Sequence, residues 1–227
     1  MVSAKPTKLP RWITLIGISL LISIAGLCQA QTKKLDSLRQ QINQYQKRDT
    51  IRLDKIMNYV VASANENTSL LLPYMREMIG LSKALHFKKG LQSGYIVGQL
   101  YYSDRGELEQ AMRYADSAFA SLKDDTAKRA QIRIAYLHNN VGGDYLKMRD
   151  YAQALSHYTQ CAKLLERYQP ENLSAVYDGI AMVYEGMLQP KKAIEYNEKA
   201  IAAAEKYGSK NAIAKRQLKY NVKVINM

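Results

Sequence analysis

The residues whose types suit metal binding, nucleophilic attack or proton transfer are few in this 227-residue chain: three histidines, two cysteines and some adjacent carboxylates. His86, His138 and His157 lack the spacing of metal ligands, and Cys161 is the one thiol outside the N-terminal leader, so a zinc site is not expected. His157 and Cys161 lie one helical turn apart, a placement that can lower a thiol pKa. With Ala162 and Leu164 beside it, Cys161 reads instead as a small buried thiol on the core side of a helix. Asp124-Asp125 reads as helix-start chemistry. The sequence has neither a glycine loop that would cradle phosphate nor a serine flanked by glycines as a nucleophile. No catalytic residues, no metal site and no cofactor are expected.

Residues 1–30 are read as a cleaved signal peptide. Lys5, Lys8 and Arg11 form a positive front, Ile13 to Leu27 an apolar centre, and Cys28-Gln29-Ala30 a small-residue end before Gln31. The alternative is a membrane anchor by an uncleaved leader, for which an apolar run of about fifteen residues falls short of the roughly 20 that span a bilayer. A lipoprotein would acylate Cys28, but Leu27 stands where a small residue is wanted. The expected location is therefore outside the cytoplasm, in a Gram-negative periplasm, with no integral span after cleavage.

The remainder is long enough for one substantial domain or one repeat array. With Cys28 in the leader, no internal disulfide can form, and stability rests on packing. The net charge is +13, with the basic residues spread along the chain. Nucleic-acid binding would call for a basic stripe interleaved with aromatics on one face, so no nucleic-acid partner is expected.

The elements that place these residues follow from an internal repeat. Segments beginning at Leu71, Ala111, Ala154 and Ala193 each reach a small or apolar residue seven positions on, at Met78, Ala118, Cys161 and Ala200. Nine residues before each start stand Ala62, Tyr102, Tyr145 and Tyr184, with apolar or small residues three and four positions further upstream, which is helical spacing. Turn-like stretches separate the halves: Asn65-Glu66-Asn67, Arg105-Gly106-Glu107, Met148-Arg149-Asp150 and Leu188-Gln189-Pro190. Lys88-Lys89-Gly90, Lys123-Asp124-Asp125 and Gln169-Pro170-Glu171 are read as the connections between units. An all-α chain of four helix pairs is predicted, over about 49–88, 89–128, 129–170 and 171–207. Leu35, Leu38, Ile42 and Tyr45 mark an amphipathic cap helix within 31–48, and the basic stretch 208–227 is read as a C-terminal capping helix or a truncated fifth repeat.

The patterns Val141-Gly142-x-x-Tyr145 with Asp150-Tyr151-x-x-Ala154-Leu155-x-x-Tyr158-x-x-Cys161, and Ile180-Ala181-x-x-Tyr184 with Ala193-Ile194-x-Tyr196-x-x-x-Ala200, resemble tetratricopeptide repeats. The second unit keeps Tyr102, Gly106, Ala111 and Ala118 but has Gly98-Gln99 for the usual Leu-Gly, and the first carries Pro73 inside its second helix. The starts stand about 40 residues apart against roughly 34 in the common unit, which implies lengthened helices or connections. The resemblance, over 49–207, implies an α-α superhelix (solenoid) whose small residues let helices cross closely while tyrosines fill the wedge between pairs. Its repeat-packing residues are Tyr102, Ala111, Ala118, Gly142, Tyr145, Ala154, Tyr158, Cys161, Ala181, Tyr184, Ala193 and Ala200. The array also resembles the exported repeat region of Bacteroidota-type sensor kinases and regulators.

Gly142-Gly143-Asp144 is similar to a cyclase signature, but Gly142 is already accounted for by the helix crossing. In tetratricopeptide proteins the ligand lies against the first helices of successive units, which implies a groove here of Ile96, Leu100, Ser103 and Asp104, then Asn139, Gly143, Leu146 and Lys147, then Asp178, Met182 and Glu185. Only Asn139 and Lys147 match the family's carboxylate clamp, beside three acids, so a peptide or partner protein held by mixed apolar and polar contacts is expected. The functional expectation is an exported, non-enzymatic interaction scaffold, with an envelope-protein complex as its setting. The sensory half of a split or truncated signalling kinase or regulator is the alternative, and an enzyme with an unfamiliar groove site is a second.

Overall fold

A computed structural model describes residues 32–63 and 68–207, in two units divided at Asn67. The expected leader, the turn at 65–67 and the 208–227 helix lie outside the described residues.

The first unit holds α1, residues 32–44, and α2, Thr50–Ser63. Of the expected stripe on α1, Ile42 is fully buried. Asp49 starts α2 by accepting a 3.1 Å hydrogen bond from the Arg52 backbone N–H and a 2.8 Å bond from the Tyr45 hydroxyl. Arg52 in turn donates to the Ile42 carbonyl at 2.9 Å, closing the α1–α2 connection.

The described residues of the second unit form helices joined by short connections: a 3₁₀ turn Thr68–Leu71, then α3 (Leu72–Ala84), α4 (Lys88–Asp104), α5 (Leu108–Leu122), α6 (Lys128–Lys147), α7 (Tyr151–Tyr168), a 3₁₀ turn Pro170–Asn172, α8 (Leu173–Gly186) and α9 (Pro190–Lys206). The pairs α4/α5, α6/α7 and α8/α9 each pack on themselves, and α6 also touches both α4 and α8. Two expectations are corrected. Pro73 does not interrupt a helix, because α3 begins only at Leu72 and places the proline in the first turn, where its missing N–H has no intrahelical acceptor. Lys88-Lys89-Gly90 is not a connection but the first turn of α4, and the link is the short stretch 85–87.

That link repeats the geometry of the turns inside the pairs. One residue goes left-handed in each, His86 (φ 50°), Gly106 (φ 73°), Arg149 (φ 60°) and Leu188 (φ 57°). The next N–H then bonds back to a helix-end carbonyl: Phe87 to Ser82, Glu107 to Tyr102, Asp150 to Tyr145 and Gln189 to Tyr184, at 2.8–2.9 Å. Asp150 also caps α7 through the Gln153 N–H. The Tyr102, Tyr145 and Tyr184 positions therefore close the turns as well as pack.

Candidate functional site

Ala111, Ala118, Ala154, Cys161, Ala193 and Ala200 have no exposed surface, Gly142, Tyr158, Ala181 and Tyr184 are buried, and Tyr102 and Tyr145 are partly so. A ring contact recurs in all three pairs: Tyr102 stacks on Tyr114 (centroids 5.2 Å), Tyr145 tilts against His157 (5.4 Å) and Tyr184 stacks on Tyr196 (5.4 Å). His157 thus occupies an aromatic packing position.

Tyr158 is the wedge between the last two pairs. A methyl group on Gly142 of α6 would lie 3.1 Å from its ring, and one on Gly179 of α8 only 2.7 Å. Glycine at both places lets the two first helices close on one ring. The Gly98-Gln99 departure also becomes intelligible. Gly98 lies against Tyr114, where a Cβ would come within 2.3 Å of the ring. Gln99 takes the register of Gly142, and Ala115 takes that of Tyr158, so the large and small partners are exchanged.

Gln99 uses that space for a polar contact that the sequence reading missed. Its Nε2 donates to the fully buried Asp144 carboxylate at 2.7 Å, and its Oε1 accepts from Asn140 at 3.3 Å. Ser103 donates to the other Asp144 oxygen, and Lys147 bonds both that oxygen (3.0 Å) and the Ser103 hydroxyl (2.9 Å). Ser103 is therefore buried in a link between α4 and α6, not open groove surface, while half of the Lys147 side chain remains exposed above it. No local pattern signals this pairing; the one hint was a buried-register glutamine facing an aspartate one unit on.

The other expected groove residues separate. Ile96 packs on the Ala115–Ala118–Leu137–Val141 core and Leu146 on the α6–α9 core, so both serve the interior. Leu100, Asn139 and Gly143 are partly buried, and Asp104 is exposed. On α8, Asp178, Met182 and Glu185 follow one another at helical spacing, with Met182 43% exposed. Burial raises the Asp178 carboxyl pKa, and burial followed by the nearby Asp178 raises that of Glu185. Among the described residues, neither is in an ion pair.

The expected inertness of Cys161 has a physical cause, since burial pushes its thiol up to about 12. His157 is engaged elsewhere: its Nδ1 lies 3.0 Å from the Nδ1 of His138, so one ring donates and the other accepts. Burial and then His157 hold His138 down at about 4, while burial lowers His157 against the opposing pull of Asp116. Phe119 of α5 covers both rings, at 4.7 and 6.2 Å. The pair is a packed neutral contact across α6 and α7. No group of three or more His, Cys, Asp or Glu suited to a metal occurs among the described residues, and no helix among them is long and apolar enough to cross a membrane.

Residues 133–206 match the tetratricopeptide repeat family model. Those residues, from α6 to α9, carry tetratricopeptide repeats. Similar solved folds include BtubC (BKLC) from P. vanneervenii, with a TM-score of 0.67 at 16% identity, covering 87% of this chain and 80% of that one. A STAND protein with a tetratricopeptide repeat sensor from Pyrococcus horikoshii gives 0.66 at 18% identity over 92% of this chain, which spans 30% of that protein. A kinesin light chain with nearly identical TPR-like repeats from Podosopora anserina gives 0.62 at 13% identity, covering 88% and 98%. No curated protein matched in sequence. Tetratricopeptide repeats generally mediate protein–protein interaction and are typically non-enzymatic.

Proposed function

We propose that this protein is an exported scaffold that holds a segment of a partner protein against its first helices, α4, α6 and α8. The observation that carries this is the α8 strip of Asp178, exposed Met182 and Glu185. Two partly desolvated carboxylates without an ion-pair partner among the described residues favour a cation brought by a ligand, and Met182 offers adaptable apolar contact between them. The ligand is accordingly a peptide or helix with basic groups flanking an apolar side chain.

A photo-crosslinker at Met182, used for capture from envelope extracts, tests this. Reversing Asp178 and Glu185 to lysine should remove the captured partner, and an unchanged set of captured proteins would show that the α8 face is not the binding surface. A second reading, the sensory half of a signalling protein, draws on the tetratricopeptide sensor of the STAND protein. It would be favoured if the captured partner is a membrane kinase or regulator.

A further inference from the structure

Away from the α8 strip, a cavity of about 330 Å³ opens where the start of α4 meets the α5–α6 connection. Lys88 and Lys89 come from the first turn of α4, Arg129 and Arg133 from the first two turns of α6, and the single acid in the lining is Asp125. Asp125 is partly engaged with its own connection, its carboxylate accepting from the Ala127 N–H at 3.2 Å. None of the four cations is in an ion pair among the described residues, so like charges face one another across the cavity.

Arg133 is not a free surface side chain. Its guanidinium is partly buried, burial and then Arg129 hold its pKa below the ordinary value, and one of its nitrogens donates to Gln92 Oε1 at 3.2 Å. Gln92 is itself buried, its amide anchored on the Ser121 carbonyl of α5 at 3.1 Å. The fork is thus oriented by a buried side chain, the usual arrangement for gripping an oxyanion. Nothing in repeat packing requires it, because the packing positions lie elsewhere on α4 and α6. Four cations against one carboxylate suit a ligand with more than one negative charge, and the volume admits a diphosphate. The two helix starts add N–H groups of the same polarity.

We propose that this cavity is a binding site for a small multiply charged phosphate, of the diphosphate class, gripped by Arg129 and Arg133 and flanked by Lys88 and Lys89.

The test is titration of the purified full chain with inorganic pyrophosphate at fixed ionic strength, read by calorimetry and by thermal shift. Saturable one-to-one binding is expected, weakened at least tenfold by Arg129→Gln with Arg133→Gln. Lys88→Gln with Lys89→Gln, both on exposed residues, should also weaken it and covers the case in which the arginine variant misfolds. Removing two cations elsewhere, Arg113→Gln with Lys206→Gln, should leave affinity within twofold. Equal losses in the control and cavity variants would reduce the effect to net charge and overturn the site, as would the absence of saturable binding by the folded wild-type chain.

Discussion

Asp144 on α6 accepts a 2.7 Å hydrogen bond from Gln99 on α4, and neither side chain has exposed surface. Removing the carboxylate would leave the Gln99 amide and the Ser103 hydroxyl buried without their acceptor. Asp144→Ala should therefore cost about 2–4 kcal/mol in chemical denaturation. Gln99→Ala and the double variant should be strongly non-additive with it, and simple additivity would show that the two do not act as a unit.

The Tyr158 wedge gives a steric prediction. Gly179→Ala places a methyl group 2.7 Å from the ring, so the α6–α8 approach must widen, at about 1–3 kcal/mol. In a Tyr158→Ala background the same substitution should cost little, since the clashing ring is gone. A penalty of unchanged size there would remove the wedge account.

The three pair turns share a left-handed residue but not a residue type. Leu188 adopts φ 57° and is 88% exposed, so replacing it loses backbone strain and little burial. Leu188→Asn should raise stability by roughly 0.5–1 kcal/mol, while Gly106→Ala should lower it by about 1 kcal/mol. Thermal denaturation of the two variants should move in opposite directions.

The histidine pair predicts a pH dependence. His138 is held at about 4 in the folded protein, below its ordinary value of 6.5, so between those values the unfolded chain binds a proton that the folded one does not. Stability should fall as pH drops from about 6.5 to 4 and level off below, with a slope from this group of at most about 1.4 kcal/mol per pH unit. The raised Asp178 and Glu185 work the other way at the acidic end of the range. His138→Gln, which keeps an N–H for His157, should flatten the slope, and an unaltered pH profile would count against the pairing.

The leader reading is checked by the mature N-terminus. Cleavage after Ala30 predicts Gln31 as the first residue of the exported protein by intact mass. An intact chain starting at Met1 in the membrane fraction would favour the uncleaved anchor instead.

What the sequence determined by itself is the repeat. Ala111, Ala154 and Ala193 with Ala118, Cys161 and Ala200 mark the same two levels of each second helix, because a helix pair cannot bury its face without small residues at those crossings, and that demand recurs with the unit. The all-α class, the three pairs from α4 to α9 and the buried Cys161 follow from such local periodicity. The α3–α4 link was misplaced because a left-handed His86 closes that turn without glycine, while Lys88-Lys89-Gly90 carries turn-like composition inside a helix.

Only the tertiary structure decided which polar residues meet. Gln99 and Asp144 belong to different units, as do Arg133 and Gln92, and His138 meets His157 across two helices of one pair. Side-chain pairing at such separations depends on how far each helix slides and turns against its neighbour. That is set by volumes such as Tyr158 between Gly142 and Gly179, which no window along the chain contains.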